Sequence, residues 1–160
     1  MKFVRIYSAS MRINLSFLLV LSLFFNCAIS PKEPESITLI PKVKSLTVND
    51  GVFKFSQNIK VDSPELFDDV VSYLESYLKP SNFLISKSIN SPDIIFKQDS
   101  LISNEEGYVL DVNQKGITIK ASTIKGAFYA VQTLRQLLPN ALENGSYNSK
   151  QLALSYLHIE

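Results

Sequence analysis

The sequence predicts an α+β fold: a mostly antiparallel sheet with two helices packed on one face. Two observations lead to this class. Short β-rich runs follow one another from residue 37 to the last residue, and only two segments repeat apolar residues at helical spacing. The predicted order is three or four strands, a helix, four strands, a helix and a final strand. With so few helices among about eight strands, an α+β architecture is favoured.

Composition narrows the function classes. The chain has 160 residues, of which 46% are apolar, and a formal net charge of +1. A complete (β/α)8 barrel needs about 250 residues, so no complete barrel enzyme is expected within this sequence. The near-neutral charge lacks the basic patch that nucleic-acid binding requires, so no nucleic-acid partner is expected. One cysteine and one histidine predict neither a metal site nor a cofactor site.

The first 26 residues have the pattern of an export signal. Lys2, Arg5 and Arg12 precede an apolar run over residues 15–25, which is too short to span a bilayer. The run ends just before Cys27, which resembles the lipidated cysteine of bacterial lipoproteins. We therefore predict a lipoprotein signal over 1–26, a tether over 27–36, and an exported protein that meets the membrane only through a lipid anchor at Cys27. The alternative is an ordinary signal peptide with an incidental cysteine.

The first half of the folded part begins with a β-rich run over 37–40 that stops at Pro41. Asn49-Asp50-Gly51 predicts a hairpin turn, and a short strand follows around residues 59–61. Ser63 and Pro64 then predict the N-cap and first residue of a helix that ends at Pro80. Its apolar residues recur at helical spacing: Phe67, Val70, Val71, Leu74 and Leu78.

The second half contains strands over 83–88 and 94–97, then a hairpin. The hairpin alternates apolar residues over 108–112 and 117–121 around a loop that ends at Gly116. Thr123 is the predicted N-cap of a second helix that stops at Pro139. A loop follows over 140–151, and 152–159 is again β-rich. The predicted buried stripe of the second helix is Ile124, Ala127, Phe128, Val131, Leu134 and Leu138.

Gly126 stands early in this helix, where it costs about 1 kcal/mol relative to alanine. We therefore expect it to allow a close approach to another backbone. Tyr129, Gln132 and Arg135 lie off the predicted stripe and are candidates for contact with a neighbouring domain. The alternative is that these three side chains only cover the solvent face of the helix.

No catalytic residue is predicted in this chain. The acidic doublet Asp68-Asp69 is expected to be a solvated surface pair and Glu105-Glu106 to be structural or solvated, and His158 has no partner that the sequence identifies. There is no tryptophan, and most phenylalanines lie on predicted buried stripes, so no sugar-stacking platform is expected.

Several motifs resemble one family. Glu106-Gly107-Tyr108, Gly116-Ile117-Thr118-Ile119 and the run from Gly126 to Leu138 are similar to the domain that precedes the catalytic barrel in family 20 glycoside hydrolases, the β-N-acetylhexosaminidases. The resemblance implies an α+β accessory domain over 37–151 and a strand over 152–160 that leads into a barrel missing from these residues.

For the whole enzyme, the resemblance implies removal of terminal β-linked N-acetylhexosamine from glycans by a substrate-assisted retaining mechanism. An adjacent Asp-Glu pair on the barrel would perform it, so this chain alone is expected to be inactive. Two alternatives remain open. One is the equivalent domain of a family 84 β-N-acetylglucosaminidase, and the other is a non-catalytic surface lipoprotein that acts as a binding or interaction module.

Overall fold

Seven strands form a single mixed sheet beside two α-helices in the computed structural model, which describes residues 37–148 and 151–160. The predicted signal over 1–26, Cys27 and the predicted tether lie outside the described residues. In chain order the elements are β1 (Leu46–Phe55), β2 (Asn58–Asp62), α1 (Asp68–Leu78), β3 (Leu84–Lys87), β4 (Ile94–Gln98), β5 (Tyr108–Asn113), β6 (Gly116–Ala121), α2 (Ile124–Leu137) and β7 (Leu152–Ile159).

The α+β class is confirmed, but the expectation of a mostly antiparallel sheet is wrong. The strand order is β1-β7-β5-β6-β4-β2-β3. The pairs β1–β7, β7–β5 and β5–β6 are antiparallel, whereas β6–β4, β4–β2 and β2–β3 are parallel. One parallel pair arises because α1 connects β2 to β3 as a crossover, which returns the chain in the same direction.

The parallel pairing of β2 with β4 depends on a stagger. Val61 of β2 lies opposite Lys87, the last residue of β3, on one side and opposite Ile94, the first residue of β4, on the other. Residues 88–93 are therefore sufficient to connect the end of β3, on one side of β2, to the start of β4 on the other side. Nothing in the sequence pattern of these strands specifies that stagger.

The predicted hairpin at Asn49-Asp50-Gly51 is also wrong. Both halves of β1 pair with β7, and the register shifts between Val48 and Val52. Gly51 adopts a φ of 116°, which a β-bulge can use as readily as a turn can. The same three residues therefore bend one strand instead of reversing the chain. Residues 37–40, predicted as β-rich, form no strand, although Leu39 is buried.

The core lies on one face of the sheet, because buried residues occupy directly opposed positions on successive strands. One such row crosses five strands: Val61, Ile94, Ile117, Val112 and Leu157. Both helices add side chains to the same buried cluster. From α1 these include all the apolar positions predicted for it after Phe67, which is itself fully buried.

The start of α1 differs from the prediction. A short 3-10 helix, Glu65–Phe67, precedes α1. Phe67 is the N-cap residue of α1, and its side chain makes no capping hydrogen bond. The Ser63 hydroxyl donates to the carbonyl of Pro64 at 3.1 Å instead of capping the helix. The predicted end is confirmed, since α1 stops at Leu78 and Pro80 lies in the next 3-10 turn.

Candidate functional site

The N-terminus of α2 is attached to the loop that precedes β5. Thr123 caps the helix as predicted, because its hydroxyl oxygen accepts a hydrogen bond from the Gly126 amide at 3.3 Å. The same hydroxyl donates to the carbonyl of Glu105. Lys125 adds an ion pair to the Glu105 carboxylate at 2.8 Å, and its hydrogen bond lowers the pKa of Glu105. The Thr123 hydrogen bond and the Lys125 ion pair thus hold the loop and the helix together at two points, both on Glu105.

Gly126 makes the close backbone approach that the sequence predicts. A Cβ atom at this position would lie less than 3.0 Å from the carbonyl oxygen of Gly107, which real Cβ atoms do not do. It would also meet the side chain of Ala121 at 3.1 Å. Glycine is therefore required for α2 to pack this closely on the start of β5.

The prediction that Phe128 anchors the core is wrong. Its side chain is 38% exposed, and Ile124 is exposed as well. The face of α2 that contacts the sheet is formed by Gly126, Ala127, Ala130, Val131 and Leu134, because small residues permit the close approach. Because these small residues face the sheet, Phe128 lies at the edge of the buried face. Its ring centroid is 5.2 Å from that of Tyr73 in α1.

The three candidate domain-contact residues have different surroundings. Tyr129 is exposed, and Gln132 is half-buried beside it along the helix. Arg135 instead faces α1: it donates to the Tyr73 hydroxyl and forms an ion pair with Glu143. Its guanidinium carbon also lies 4.8 Å from the ring centroid of Tyr77. Arg135 therefore serves contacts within the domain, whereas Tyr129 and Gln132 border open surface.

That surface is a groove of about 930 Å³, which we call the α2 groove. Segment 40–44 forms one wall, loop 101–104 forms the other, and Tyr129, Gln132 and Gln136 contribute to its floor. Leu101 in one wall is 90% exposed and Ile40 in the other is 77% exposed. The sequence analysis missed both residues, although the leucine and isoleucine at 101 and 102, which stand between polar residues on both sides, are a signal that could have identified this loop.

Polar groups in the floor of the α2 groove are bonded within the chain. The Gln136 amide donates to the carbonyl of Ile40 at 2.8 Å and accepts from its amide at 2.9 Å, which fixes the first wall. The Tyr108 hydroxyl lies 2.5 Å from the Thr133 hydroxyl. These polar side chains thus already have hydrogen-bond partners within the domain, while Ile40, Leu101 and Tyr129 are exposed large apolar side chains in the lining.

His158 has partners that the sequence analysis did not find. It lies directly opposite Asp111 on the neighbouring strand, and its Nδ1 donates to the Asp111 carboxylate at 2.5 Å. Its Nε2 lies 3.5 Å from a carboxylate oxygen of Glu160, which also pairs with Lys44 at 3.4 Å. The hydrogen bond with Asp111 raises the pKa of His158. Only the β5–β7 pairing brings these groups together.

The acidic doublets lie at the surface, as expected. Asp68 binds Lys87 at 2.7 Å, Glu105 binds Lys125, and Glu106 borders the α2 groove. Within residues 37–148 and 151–160, no three His, Cys, Asp or Glu side chains are grouped so that they could hold a metal ion. In the same part of the chain, no helix is long and apolar enough to cross a membrane.

Comparison with known proteins identifies the domain. The sequence matches the family described as "Glycosyl hydrolase family 20, domain 2" over residues 36–160, which is most of the chain. The chain belongs to this family. The family match decides between family 20 and family 84, which the sequence motifs had left open.

Relatives of this family 20 domain are similar to it in sequence, and two of them have solved structures with a similar fold. A β-hexosaminidase of Porphyromonas gingivalis is 29% identical over 123 residues. The N-acetyl-β-hexosaminidase of Streptomyces plicatus is 28% identical, with a TM-score of 0.67 over 82% of this chain. The GH20 exo-β-N-acetylglucosaminidase of Vibrio harveyi is 29% identical, with a TM-score of 0.65 over 79% of this chain.

The matched region is a small part of each relative. It spans 16% of the Porphyromonas gingivalis protein, 28% of the Streptomyces plicatus chain and 20% of the Vibrio harveyi chain. In complete family 20 enzymes the homologous domain lies next to a catalytic domain. Residues 36–160 therefore correspond to domain 2, which lacks the catalytic barrel.

Proposed function

We propose that this chain is the non-catalytic domain 2 of an exported β-N-acetylhexosaminidase that removes terminal β-linked N-acetylhexosamine from glycans. The observation that carries the proposal is the family match over residues 36–160, in a chain that spans only 16–28% of three of its relatives. The substrate class is that of the relatives' names, and the substrate-assisted retaining mechanism follows from the family resemblance. In this proposal the catalytic pair lies on the barrel, outside these residues.

The local geometry agrees with a supporting role. Two acids of the described surface are paired with lysines: Asp68 with Lys87 and Glu105 with Lys125. Asp111 and His158 form a cross-strand pair on the sheet face that is opposite the core, and Glu160 continues this pair towards Lys44. These contacts join strands and loops to one another, which is how a scaffold maintains its shape.

The complete coding region tests the proposal. We expect an in-frame barrel with an adjacent Asp-Glu pair, and we expect the complete product to release the chromophore from a chromogenic β-N-acetylglucosaminide. A matched sample of the 160-residue chain should release none. A stop codon followed by an unrelated gene would refute the proposal and favour the alternative, a non-catalytic surface lipoprotein.

Export through a lipid anchor is a separate part of the proposal. It rests on the basic residues and apolar run of 1–26 and on Cys27 directly after them. We expect labelled palmitate to be incorporated into the protein in its native host and to be lost in Cys27→Ala. Equal labelling of both proteins, or a product cleaved at another position, would contradict the anchor and leave the enzymatic assignment unaffected.

A further inference from the structure

Four lysines lie on the sheet face opposite the core, which we call the outer face: Lys54 of β1, Lys60 of β2, Lys97 of β4 and Lys120 of β6. Side chains alternate between the two faces of a sheet. The residue that precedes each of these lysines is buried in the core: Phe53, Ile59, Phe96 and Ile119. The four ammonium groups therefore lie on the side of the sheet that faces away from the helices.

The positive charge of the outer face is not neutralised by ion pairs. Within residues 37–148 and 151–160, none of the four lysines forms an ion pair; the cations that do are Lys44, Lys87, Lys125, Arg135 and His158. Asp62 and Asp111 share the outer face, but Asp111 is already bound to His158. On the other side of the sheet, α1 has three acidic residues and no basic one. The outer face is therefore the positive side of the domain.

The positions of Lys97 and Lys120 indicate that the outer face binds an anionic partner. The two lysines are directly opposed on the neighbouring strands β4 and β6. Like charges at opposed positions of neighbouring strands repel each other and destabilise a sheet. Negative charge placed against both ammonium groups would replace this repulsion by attraction.

The spacing of the lysines favours a planar partner over a small anion. Lys54 lies on the edge strand β1, and Lys60 lies on β2, five strands further across the sheet. Because neighbouring strands are about 4.8 Å apart, these two lysines are separated by about 24 Å across the strands. A single small anion can contact only one or two of the four lysines. An extended anionic surface can contact all of them, and a bilayer that contains anionic phospholipid is such a surface.

The predicted lipid anchor would keep a bilayer within reach of the domain. The tether over 27–36 would span at most about 36 Å even if it were fully extended. We propose that the outer face binds the anionic phospholipid headgroups of the membrane to which Cys27 attaches the protein, with Lys97 and Lys120 at the centre of the contact. The sheet then lies against the bilayer, and α1, α2 and the α2 groove face away from it.

This contact adds a second attachment to the single lipid anchor that the sequence predicts. The inference rests on the anchored export in the proposed function and does not depend on the catalytic assignment. Attraction to anionic lipid and a lipid chain are individually weak forms of membrane binding that strengthen each other when they act together.

Photo-crosslinking to lipid tests the contact in the full chain. Cys27 is the single cysteine of the sequence, so a maleimide-bearing lipid attaches the chain to vesicles at the position of the proposed anchor. p-Benzoylphenylalanine is placed either at Thr118, on the outer face two residues before Lys120, or at Ser72, which is exposed on α1. Each lysine near an anionic surface favours the contact about fivefold.

We expect position 118 to form at least about fivefold more lipid adduct on vesicles that contain phosphatidylglycerol than on vesicles of phosphatidylcholine alone. Position 72 should show no such difference. Equal adduct formation from position 118 on both kinds of vesicle, or a phosphatidylglycerol-dependent adduct from position 72 that matches it, would overturn the proposal.

Matched double variants separate the outer face from the total charge. Lys97→Gln/Lys120→Gln removes two charges from this face, whereas Lys42→Gln/Lys79→Gln removes two charges from exposed lysines outside the strands. We expect the first variant to lower the adduct from position 118 on phosphatidylglycerol vesicles at least about fivefold, and the control to leave it within about twofold. Equal losses in the two variants would refute a specific role for Lys97 and Lys120.

Palmitate labelling in the native host distinguishes this inference from the anchor on which it rests. A labelled protein whose position 118 forms no phosphatidylglycerol-dependent adduct refutes the contact through the outer face alone. A protein that takes up no palmitate refutes both, because nothing would then hold the domain at a bilayer.

Discussion

Gly126→Ala is the substitution that tests the packing of α2 most sharply, because two physical effects of opposite sign meet there. In an unobstructed helix, alanine stabilises the folded state by about 1 kcal/mol relative to glycine. At position 126 the added methyl group would lie against the carbonyl oxygen of Gly107, which is a backbone atom. The helix and the backbone of β5 would have to separate to admit it.

The surrounding contacts oppose that separation. The Gly107 amide donates to the carbonyl of Asn104 at 2.9 Å, so the loop before β5 is itself hydrogen-bonded. Thr123 and Lys125 bind the same loop through Glu105. An added methyl group in a tightly packed site costs about 1–3 kcal/mol, and the upper end applies where the neighbour is backbone. After subtraction of the helix preference of about 1 kcal/mol, we expect a net destabilisation of about 2 kcal/mol.

Urea denaturation of the 160-residue chain, followed by circular dichroism, measures this free energy. Ser72→Ala in α1 is a suitable control, since Ser72 is exposed and its hydroxyl bonds only to the carbonyl of Asp68 in the same helix. The control should change the free energy of unfolding by less than about 0.5 kcal/mol. If Gly126→Ala is more stable than the parent chain, the close approach of α2 to Gly107 does not limit this position.

Three further predictions follow from contacts described above. Phe128→Ala should lower the free energy of unfolding by about 1 kcal/mol, because the partly exposed ring loses mainly its contact with Tyr73. Leu134→Ala should lower it by about 2–5 kcal/mol, because Leu134 is fully buried. Equal losses in urea denaturation would contradict the observed orientation of α2. The hydrogen bond with Asp111 raises the pKa of His158, so its stabilisation is complete below the ordinary value of about 6.5 and is lost as the pH rises through the raised value. His158→Gln should therefore destabilise the chain more at about pH 5.5 than at about pH 9, and a pH-independent difference would refute the pairing. The 160-residue chain should not hydrolyse a chromogenic β-N-acetylglucosaminide, and turnover that persists after repurification would show that a catalytic group lies within it.

Local signals in the sequence identified the elements that depend on neighbouring residues. Three features involve residues that are close to one another in the sequence, and the structure confirms all of them: the β5–β6 hairpin, the Thr123 cap and the apolar stripe of α1. Gly126 also indicated a structural feature correctly. Glycine disfavours a helix, and here it lies where a larger residue would collide with Gly107.

Features that depend on distant pairing could not be predicted from these patterns. The parallel half of the sheet depends on the α1 crossover and on the stagger at Val61. The alternation of apolar residues predicts neither of them. The His158–Asp111 pair exists only because β5 and β7 are neighbours. The α2 groove joins segment 40–44 to loop 101–104, which lie far apart in the chain.

The bulge in β1 also affects how the domain meets other copies of itself. β1 is an edge strand of ten residues, with Val48 and Val52 exposed on either side of the bulge. A straight edge of this length presents a row of free amide and carbonyl groups to any passing strand, and such edges nucleate aggregation. Here the φ of 116° at Gly51 and the ring of Tyr156 packed against it divide the edge into two short pieces that a straight strand cannot pair with continuously. Asn49-Asp50-Gly51, whose sequence is typical of a hairpin turn, thus opposes polymerisation of the folded domain through the β1 edge.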